Sequence, residues 1–353
     1  MIEIVKIDGS IFEGGGSIVR NAVALSALFQ KPIEIFNIRA NRENPGLRNQ
    51  HAFAVKAIAN LCDAQTEGVI VGSSKLKFYP GKIKGGEYEI DVKTAGSLTL
   101  LLQAILPVAA CAPKATTLIM KGGTDVPMAP PIDYIKFVFL PMMEKLGLNV
   151  SLSVKRRGHY PKGGGLITCI IKPVTQMKPI QFKFNYPLKV EDINGFVHVI
   201  HLPLSIADRM VSSANEILQK QHYKITTIQK DCLDSSDKSS IGSGTGIILC
   251  AKTNYDTIIA GNGLGEKGLA AEKVGQLAAT MLINQLQTGK PIDYHLADQL
   301  IIWMGISKFP SIIDTSQITL HALTNIEIIK KFSPAKFEII GIEGKPGSII
   351  CTP

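Results

Sequence analysis

The sequence has no run of about 18 or more apolar residues, which removes a bilayer-spanning helix from consideration. Its six cysteines, Cys62, Cys111, Cys169, Cys232, Cys250 and Cys351, form no C-x-x-C pair and have no histidine at ligand spacing. Dithiol redox motifs and a structural zinc ion are therefore not expected, and the thiols read as small buried hydrophobes. Aromatics make up only 6% and no stacking motif is visible, which counts against a plain single-stranded RNA-binding module. There is no G-K-[ST] phosphate loop, no G-x-S-x-G elbow and no H-E-x-x-H pair, so P-loop, serine-hydrolase and zinc-peptidase chemistries have no footing.

What is present is ordinary folding material: 353 residues, 45% apolar and 19% charged, enough for one large or two ordinary domains. Met1 to Lys6 run directly into a strand-like pattern rather than a secretory leader, so a soluble, cytoplasmic chain with no membrane partner is expected. A net charge of +9 and a pI near 9.1 favour polyanionic partners, because neutralised phosphates release counterions. The charge is spread along the chain, apart from a small knot at Lys155, Arg156 and Arg157.

The chain repeats itself at about 80 residues. Gly16-Ser17-Ile18 opens an amphipathic segment, and so does Gly96-Ser97-Leu98. Tyr79-Pro80 before Gly85-Gly86 recurs as Tyr160-Pro161 before Gly163-Gly164. Pro45-Gly46 precedes a helical stretch to Cys62, and Pro130-Pro131 precedes another to Leu146. Apolar residues at helical spacing, such as Phe53, Val55, Ile58, Ala59 and Leu61, alternate with short β-branched runs such as Ile33 to Ile38. The reading is an α/β fold of α+β type: three βαβαββ-like repeats with a small inserted α/β domain. The first two repeats occupy 1–180, the insert 181–275 and the third repeat 276–353. The third copy takes its helices from 269–286 and 293–304, and Asp231 to Gly246, rich in Asp, Ser, Lys and Gly, reads as an exposed loop.

Several strings could carry chemistry. Arg157-Gly158-His159-Tyr160-Pro161-Lys162-Gly163-Gly164-Gly165 suits either a tight turn between strands or a phosphate cradle of backbone N–H groups. Glu13-Gly14-Gly15-Gly16-Ser17 enters a helix bearing Arg20; Glu13 reads either as a carboxylate favoured by the helix dipole or as a ligand for a divalent metal on phosphates. Arg39, Arg42 and Arg48 flank a Pro-Gly loop that is either solvated or a phosphate fork. His321 follows a strand-like 316–320 and precedes a helix, where the dipole would lower its pKa and keep the imidazole nucleophilic.

Taken together these strings resemble the RNA 3'-terminal phosphate cyclase family. The likeness touches nearly the whole chain: Asp8-Gly9, Glu13 to Gly16, Arg39 and Arg42, Thr94 to Ser97 with Gln103, Gly122 to Asp125, Arg157 to Ile167, Leu296 to Gln299 and His321 to Asn325. It implies an ATP-dependent enzyme that converts an RNA 3'-phosphate to a 2',3'-cyclic phosphate. His321 would carry AMP, which then passes to the RNA end before the 2'-OH closes the ring. The likeness further implies ATP contacts from Gln103, His295, Leu296, Ala297, Asp298 and Gln299, and a Mg²⁺ or Mn²⁺ ion on Glu13. Arg20, Arg39 and Arg42 would grip phosphates of the RNA or of ATP, and a homodimer is left open. His295 departs from the tyrosine common at that position, which alters the ring stacked on adenine. A branch of the family without the catalytic histidine serves as a ribosome-assembly scaffold, and His321 argues against it here. A related transferase acting on small phosphorylated metabolites is the other rival, and it uses no covalent nucleotidyl-histidine.

Overall fold

The computed structural model describes residues 3–353 apart from Ser235 and Lys238. Its first unit runs β1 (Val5–Asp8), α1 (Gly16–Phe29), β2 (Ile33–Phe36), α2 (Asn49–Cys62), β3 (Gln65–Glu67) and β4 (Leu76–Tyr79). The second runs β5 (Gly86–Asp91), α3 (Leu98–Ala110), β6 (Thr116–Gly122), α4 (Ile132–Tyr134), a π-helical turn Ile135–Phe139, α5 (Leu140–Lys145), β7 (Val150–Arg156) and β8 (Gly165–Ile171). β1 pairs parallel with β2, β2 antiparallel with β4, and β4 antiparallel with β3. The order β5-β6-β8-β7 repeats this with the same directions.

The third unit is interrupted. It begins with the two-residue β9 (Gln181–Phe182). The chain then leaves for β10 (Val190–Ile200), α6 (Ser205–Gln219), β11 (Thr227–Leu233), β12 (Gly244–Thr253), β13 (Ile258–Leu264) and α7 (Ala271–Leu286). It returns as α8 (Tyr294–Ile306), β14 (Ser311–Thr315), α9 (Leu320–Ile329), β15 (Lys336–Ile340) and β16 (Gly347–Thr352). β9 pairs parallel with β14, and β14-β16-β15 closes the sheet antiparallel, as in the other units.

Two expectations change. α7, read as part of the third copy, packs on α6 and β13 and shares their separate core around Val197, Met210, Leu249 and Leu282. The insert therefore spans the β10–α7 elements, and β9 before it belongs to the third sheet. Asp231 lies in strand β11, not in a loop, because 227–233 pairs with β10 in register.

The strands alternate inward and outward residues, as in β6 with its pattern of buried and half-buried positions. Their inner faces meet a shared helical layer: α1 touches α2, α3 and α9, and α8 touches α3 and α9. Helix starts are fixed by side-chain caps at Ser97, Asp293 and Thr319, which accept from Leu100, Leu296 and Ala322 N–H groups respectively. One consequence matters for function: α1 and α9, from the first and last units, lie side by side. No helix among the described residues is long and apolar enough to cross a membrane.

Candidate functional site

The loop before α1 brings Glu13 back over its own helix. A Cβ on Gly15 would sit 2.3 Å from Glu13 Oε1, so only glycine leaves room for that carboxylate. Ser17, on the first turn, donates to Oε1. Arg42 Nη2 donates to the Glu13 carbonyl at 2.9 Å and lies 3.3 Å from Oε2. From the far end of the chain, His321 Nδ1 approaches Oε2 at 3.0 Å. The Glu13 side chain is only 7% exposed, whereas that of His321 is 55% exposed.

His321 is the second residue of α9, directly after the Thr319 cap. The strand read over 316–320 is absent, since β14 ends at Thr315 and the cap occupies 319. Its protonation also differs from expectation. The hydrogen bond it donates to Glu13 raises its pKa above the usual histidine value, outweighing burial, with the charges of Glu13 and Asp298 acting in the same direction. A carboxylate at contact distance outweighs the helix dipole. Glu13 responds in the opposite sense: burial favours its neutral form, but His321, Ser17 and Arg42 together hold it below the ordinary glutamate value.

Around this pair lie further charges. Arg20, half-buried on α1, has its pKa pushed down to about 10 by burial, with Glu13 opposing the shift. Among the described residues none accepts a hydrogen bond from it, so its guanidinium is available to an anion. Arg39 is committed differently, bracing the Pro-Gly loop through Nη1 to the Asn44 and Gly46 carbonyls at 2.6 and 3.1 Å. His51, which the sequence did not single out, is buried at the start of α2 and held neutral, with a pKa near 3, by burial and by Arg20, Arg39 and Arg48. A Cβ on Gly16 would fall 2.0 Å from its Nε2, so that glycine seats the ring.

On α8, Asp298 accepts from Thr319, and burial pushes its carboxyl up to about 7 despite that bond and the nearby His321. Its carbonyl accepts from Asn325 Nδ2 at 3.1 Å, which ties α8 to α9. His295 is held neutral, with a pKa near 4, by burial and then by His321, and it meets Tyr134 edge-on at 5.9 Å. Gln103 Nε2 and Gln299 Oε1 are buried polar atoms without partners among the described residues, on helices that pack against each other. Leu296 and Ala297, expected among ATP contacts, are fully buried in the core. Their side chains face the helical layer because a helix that presents His295, Asp298 and Gln299 outward must turn 296 and 297 inward.

The glycine string around Arg157 is a turn and not a phosphate cradle. Gly163 N–H donates to His159 O at 2.7 Å and Gly158 N–H to Thr124 Oγ1 at 2.9 Å. A Cβ on Gly158 would meet the Gly165 nitrogen at 2.3 Å. Arg157 itself, read as part of a small basic knot, is 4% exposed and pairs with Asp125, Asp133 and Asp231 at 3.1, 2.9 and 2.7 Å. It fastens the second unit to the insert.

A histidine, a carboxylate and arginines gathered at helix starts, on three βαβαββ units, define an enzyme of the α/β-repeat class. Comparison with known proteins narrows the class. The family profile described as RNA 3'-terminal phosphate cyclase matches residues 11–339. An RNA 3'-terminal phosphate cyclase of Methanopyrus kandleri is 40% identical over 100% of this chain and 99% of its own. That of Ignicoccus hospitalis is 41% identical over 97% of each chain, and that of Desulfurococcus amylolyticus 43% identical over 99% and 98%. The chain belongs to the RNA 3'-terminal phosphate cyclase family.

Proposed function

We propose that this enzyme uses ATP to convert an RNA 3'-phosphate into a 2',3'-cyclic phosphate through AMP carried on His321. The observation that carries this reading is the hydrogen bond between His321 Nδ1 and Glu13. With Nδ1–H directed at the carboxylate, Nε2 is the nitrogen left with a free lone pair, and it lies on an exposed ring at a helix start.

In the first step Nε2 attacks the α-phosphorus of ATP. The N–P bond forms, the bond to the β-phosphate oxygen breaks, and pyrophosphate leaves. An oxygen of the RNA 3'-phosphate then attacks the same phosphorus and displaces the imidazole, which recovers its lone pair. Finally the 2'-OH attacks the activated RNA phosphate, losing its proton as AMP departs. Ring closure needs little beyond proximity, because the hydroxyl is held beside its target.

The protein's contribution is charge and position. Arg20, with no acceptor of its own, and Arg42 supply guanidinium groups for the phosphates. Arg39 would reach phosphate only by releasing its loop carbonyls, so its part in grip is through loop shape as well as charge. Gln103, His295, Asp298 and Gln299 form the proposed nucleotide-facing set; the partnerless amide atoms of Gln103 and Gln299 suit a ligand that supplies the missing bonds. A Mg²⁺ or Mn²⁺ ion would be held by Glu13, since such ions take few protein carboxylates and complete their shells with phosphate oxygens and water. When bound, it supplies neutralisation of the triphosphate charge.

The test is incubation with ATP labelled in the α-phosphate and Mg²⁺ or Mn²⁺, comparing wild type with His321→Ala. Acid-labile label on wild type alone is the expected result. Absence of label on folded wild type with either metal would overturn the mechanism.

A further inference from the structure

A second group of polar side chains lies away from His321, where the second unit meets the insert. Asp125 follows β6, His159 lies in the turn between β7 and β8, and His198 is on β10 of the insert. All three are buried. One ligand-type atom from each comes within 4.8 Å of the others. His159 Nε2 and His198 Nε2 face each other at 3.0 Å.

We propose that Asp125, His159 and His198 form a binding site for a divalent transition-metal ion, with Zn²⁺ as the best match, that fastens the inserted domain to the second unit. Two neutral imidazoles and a carboxylate are a common donor set for such an ion, and imidazole is preferred over all-oxygen sets by zinc rather than magnesium or calcium.

Three observations support this. Asp125 presents one oxygen and anchors the other: Oδ2 accepts from Thr124 Oγ1 at 2.7 Å and from Arg157 Nη1 at 3.1 Å, whereas Oδ1 is buried without a partner. That is the arrangement of a ligand oriented by its surroundings. The imidazoles are seated by glycines of β12: a Cβ on Gly244 would lie 2.2 Å from the His159 ring, and one on Gly246 would lie 2.8 Å from His198 Cε1.

The third observation is charge. Asp125, Asp133 and Asp231 surround the single guanidinium of Arg157. Three carboxylates thus face one fixed cation, and two of them, Asp125 and Asp133, lie in the interior. Uncompensated buried charge is costly, and one divalent cation between the imidazoles and Asp125 Oδ1 cancels the excess. His198 Nδ1, 3.6 Å from Asp133 Oδ2, would then have a carboxylate behind it to orient the ring. A cavity of about 20 Å³ borders Asp133 and His198 and has room for one water beside the His198 ring.

The test uses the full chain without a histidine tag and without nucleotide. The protein is stripped with chelator, dialysed against Zn²⁺ and analysed for metal by mass spectrometry, with a parallel Co²⁺ sample for its visible spectrum. One metal per chain and a d–d spectrum typical of nitrogen and oxygen ligands are expected. His198→Asn and Asp125→Asn, each checked for folding by circular dichroism, should weaken binding by more than about 100-fold, exceeding what loss of an orienting partner alone produces. Added Zn²⁺ should raise the melting temperature of wild type but of neither variant. Glu13→Gln should retain the metal; its loss there would assign the ion to the His321 cluster and overturn the proposal. Failure of reloaded wild type to hold stoichiometric metal would also overturn it, leaving a hydrogen-bonded histidine pair.

Discussion

Asn21 Nδ2 donates to Asn325 Oδ1 at 2.6 Å across 304 residues of sequence. Each lies one helical turn beyond a member of the Ser17–Glu13–His321 cluster, Asn21 after Ser17 on α1 and Asn325 after His321 on α9. The two helices are thus joined by a pair of rungs: the Ser17–Glu13–His321 chain at the helix starts and the amide pair one turn deeper. The deeper rung sets the separation at which the exposed imidazole meets its carboxylate.

Asn21→Ala tests that rung. It leaves Asn325 Oδ1 without its donor, so stability should fall by about 1–2 kcal/mol in urea titration. In single-turnover labelling with ATP the rate should fall by about 10- to 100-fold, as expected when a reacting group is displaced by a fraction of an ångström to an ångström. An unchanged labelling rate would show that the rung serves stability alone.

The pH dependence of labelling follows from the Glu13–His321 pair. Glu13 raises the histidine pKa, and only the neutral imidazole attacks. The rate should therefore climb with pH through an inflection above the model-peptide histidine value of about 6.5. Glu13→Gln removes the carboxylate charge and should shift that inflection downward. Stability has its own signature. The histidine's contribution is fully present below its unfolded pKa and is lost as pH rises through the raised folded value. The carboxylate's contribution is present above its ordinary pKa and lost as pH falls through the lowered one. The stability gap between wild type and Glu13→Gln should accordingly be widest between these limits.

Arg157→Met should be among the most damaging substitutions outside the nucleotide cluster. It strands the buried carboxylates of Asp125 and Asp133, and removing one partner of a buried ion pair costs about 3–5 kcal/mol. Denaturant unfolding measures this directly. Lys155, in the same basic run but exposed, provides the contrast: Lys155→Met should change stability by less than about 0.5 kcal/mol.

Gln103→Leu separates binding from folding. The lost amide nitrogen has no partner among the described residues, so the melting temperature should stay constant or rise slightly. ATP affinity should weaken about tenfold, near the value of one hydrogen bond to a buried group. A fall in melting temperature with unchanged affinity would give Gln103 a structural role.

Much of the fold was legible because it is written in short-range patterns. Apolar spacing marked α1, α2 and α3, and the Gly-Ser helix entries exposed the period of about 80 residues. The insert's limits were not legible, for two physical reasons. β9 is only Gln181–Phe182, too short to show alternation. α7 has the same amphipathic signature whether it packs on α6 or on the third sheet, so its owner is decided by tertiary contacts alone.

The site divides in the same way. Glu13, Arg20, Arg42 and His321 were visible through their positions at helix entries and beside glycines. Arg157 read as one of a small basic knot with Lys155 and Arg156, and its buried pairing was hidden because its three aspartates are scattered over 125–231 and no local pattern announces them. His51 and His198 carried no signal at all, since burial of a lone histidine depends on which elements close over it. The pKa of His321 was misjudged for a related reason: the dipole of its own helix is readable from sequence, but a carboxylate from the other end of the chain is not.

That separation between Glu13 and His321 also orders events during synthesis. The carboxylate is made with the first helix and the nucleophile with the last, after the insert has been threaded out and back between β9 and α8. On the proposed mechanism, a chain interrupted before α9 lacks His321 and has nothing with which to take up AMP. On that mechanism, the chemistry waits until the final unit has docked and α9 lies beside α1.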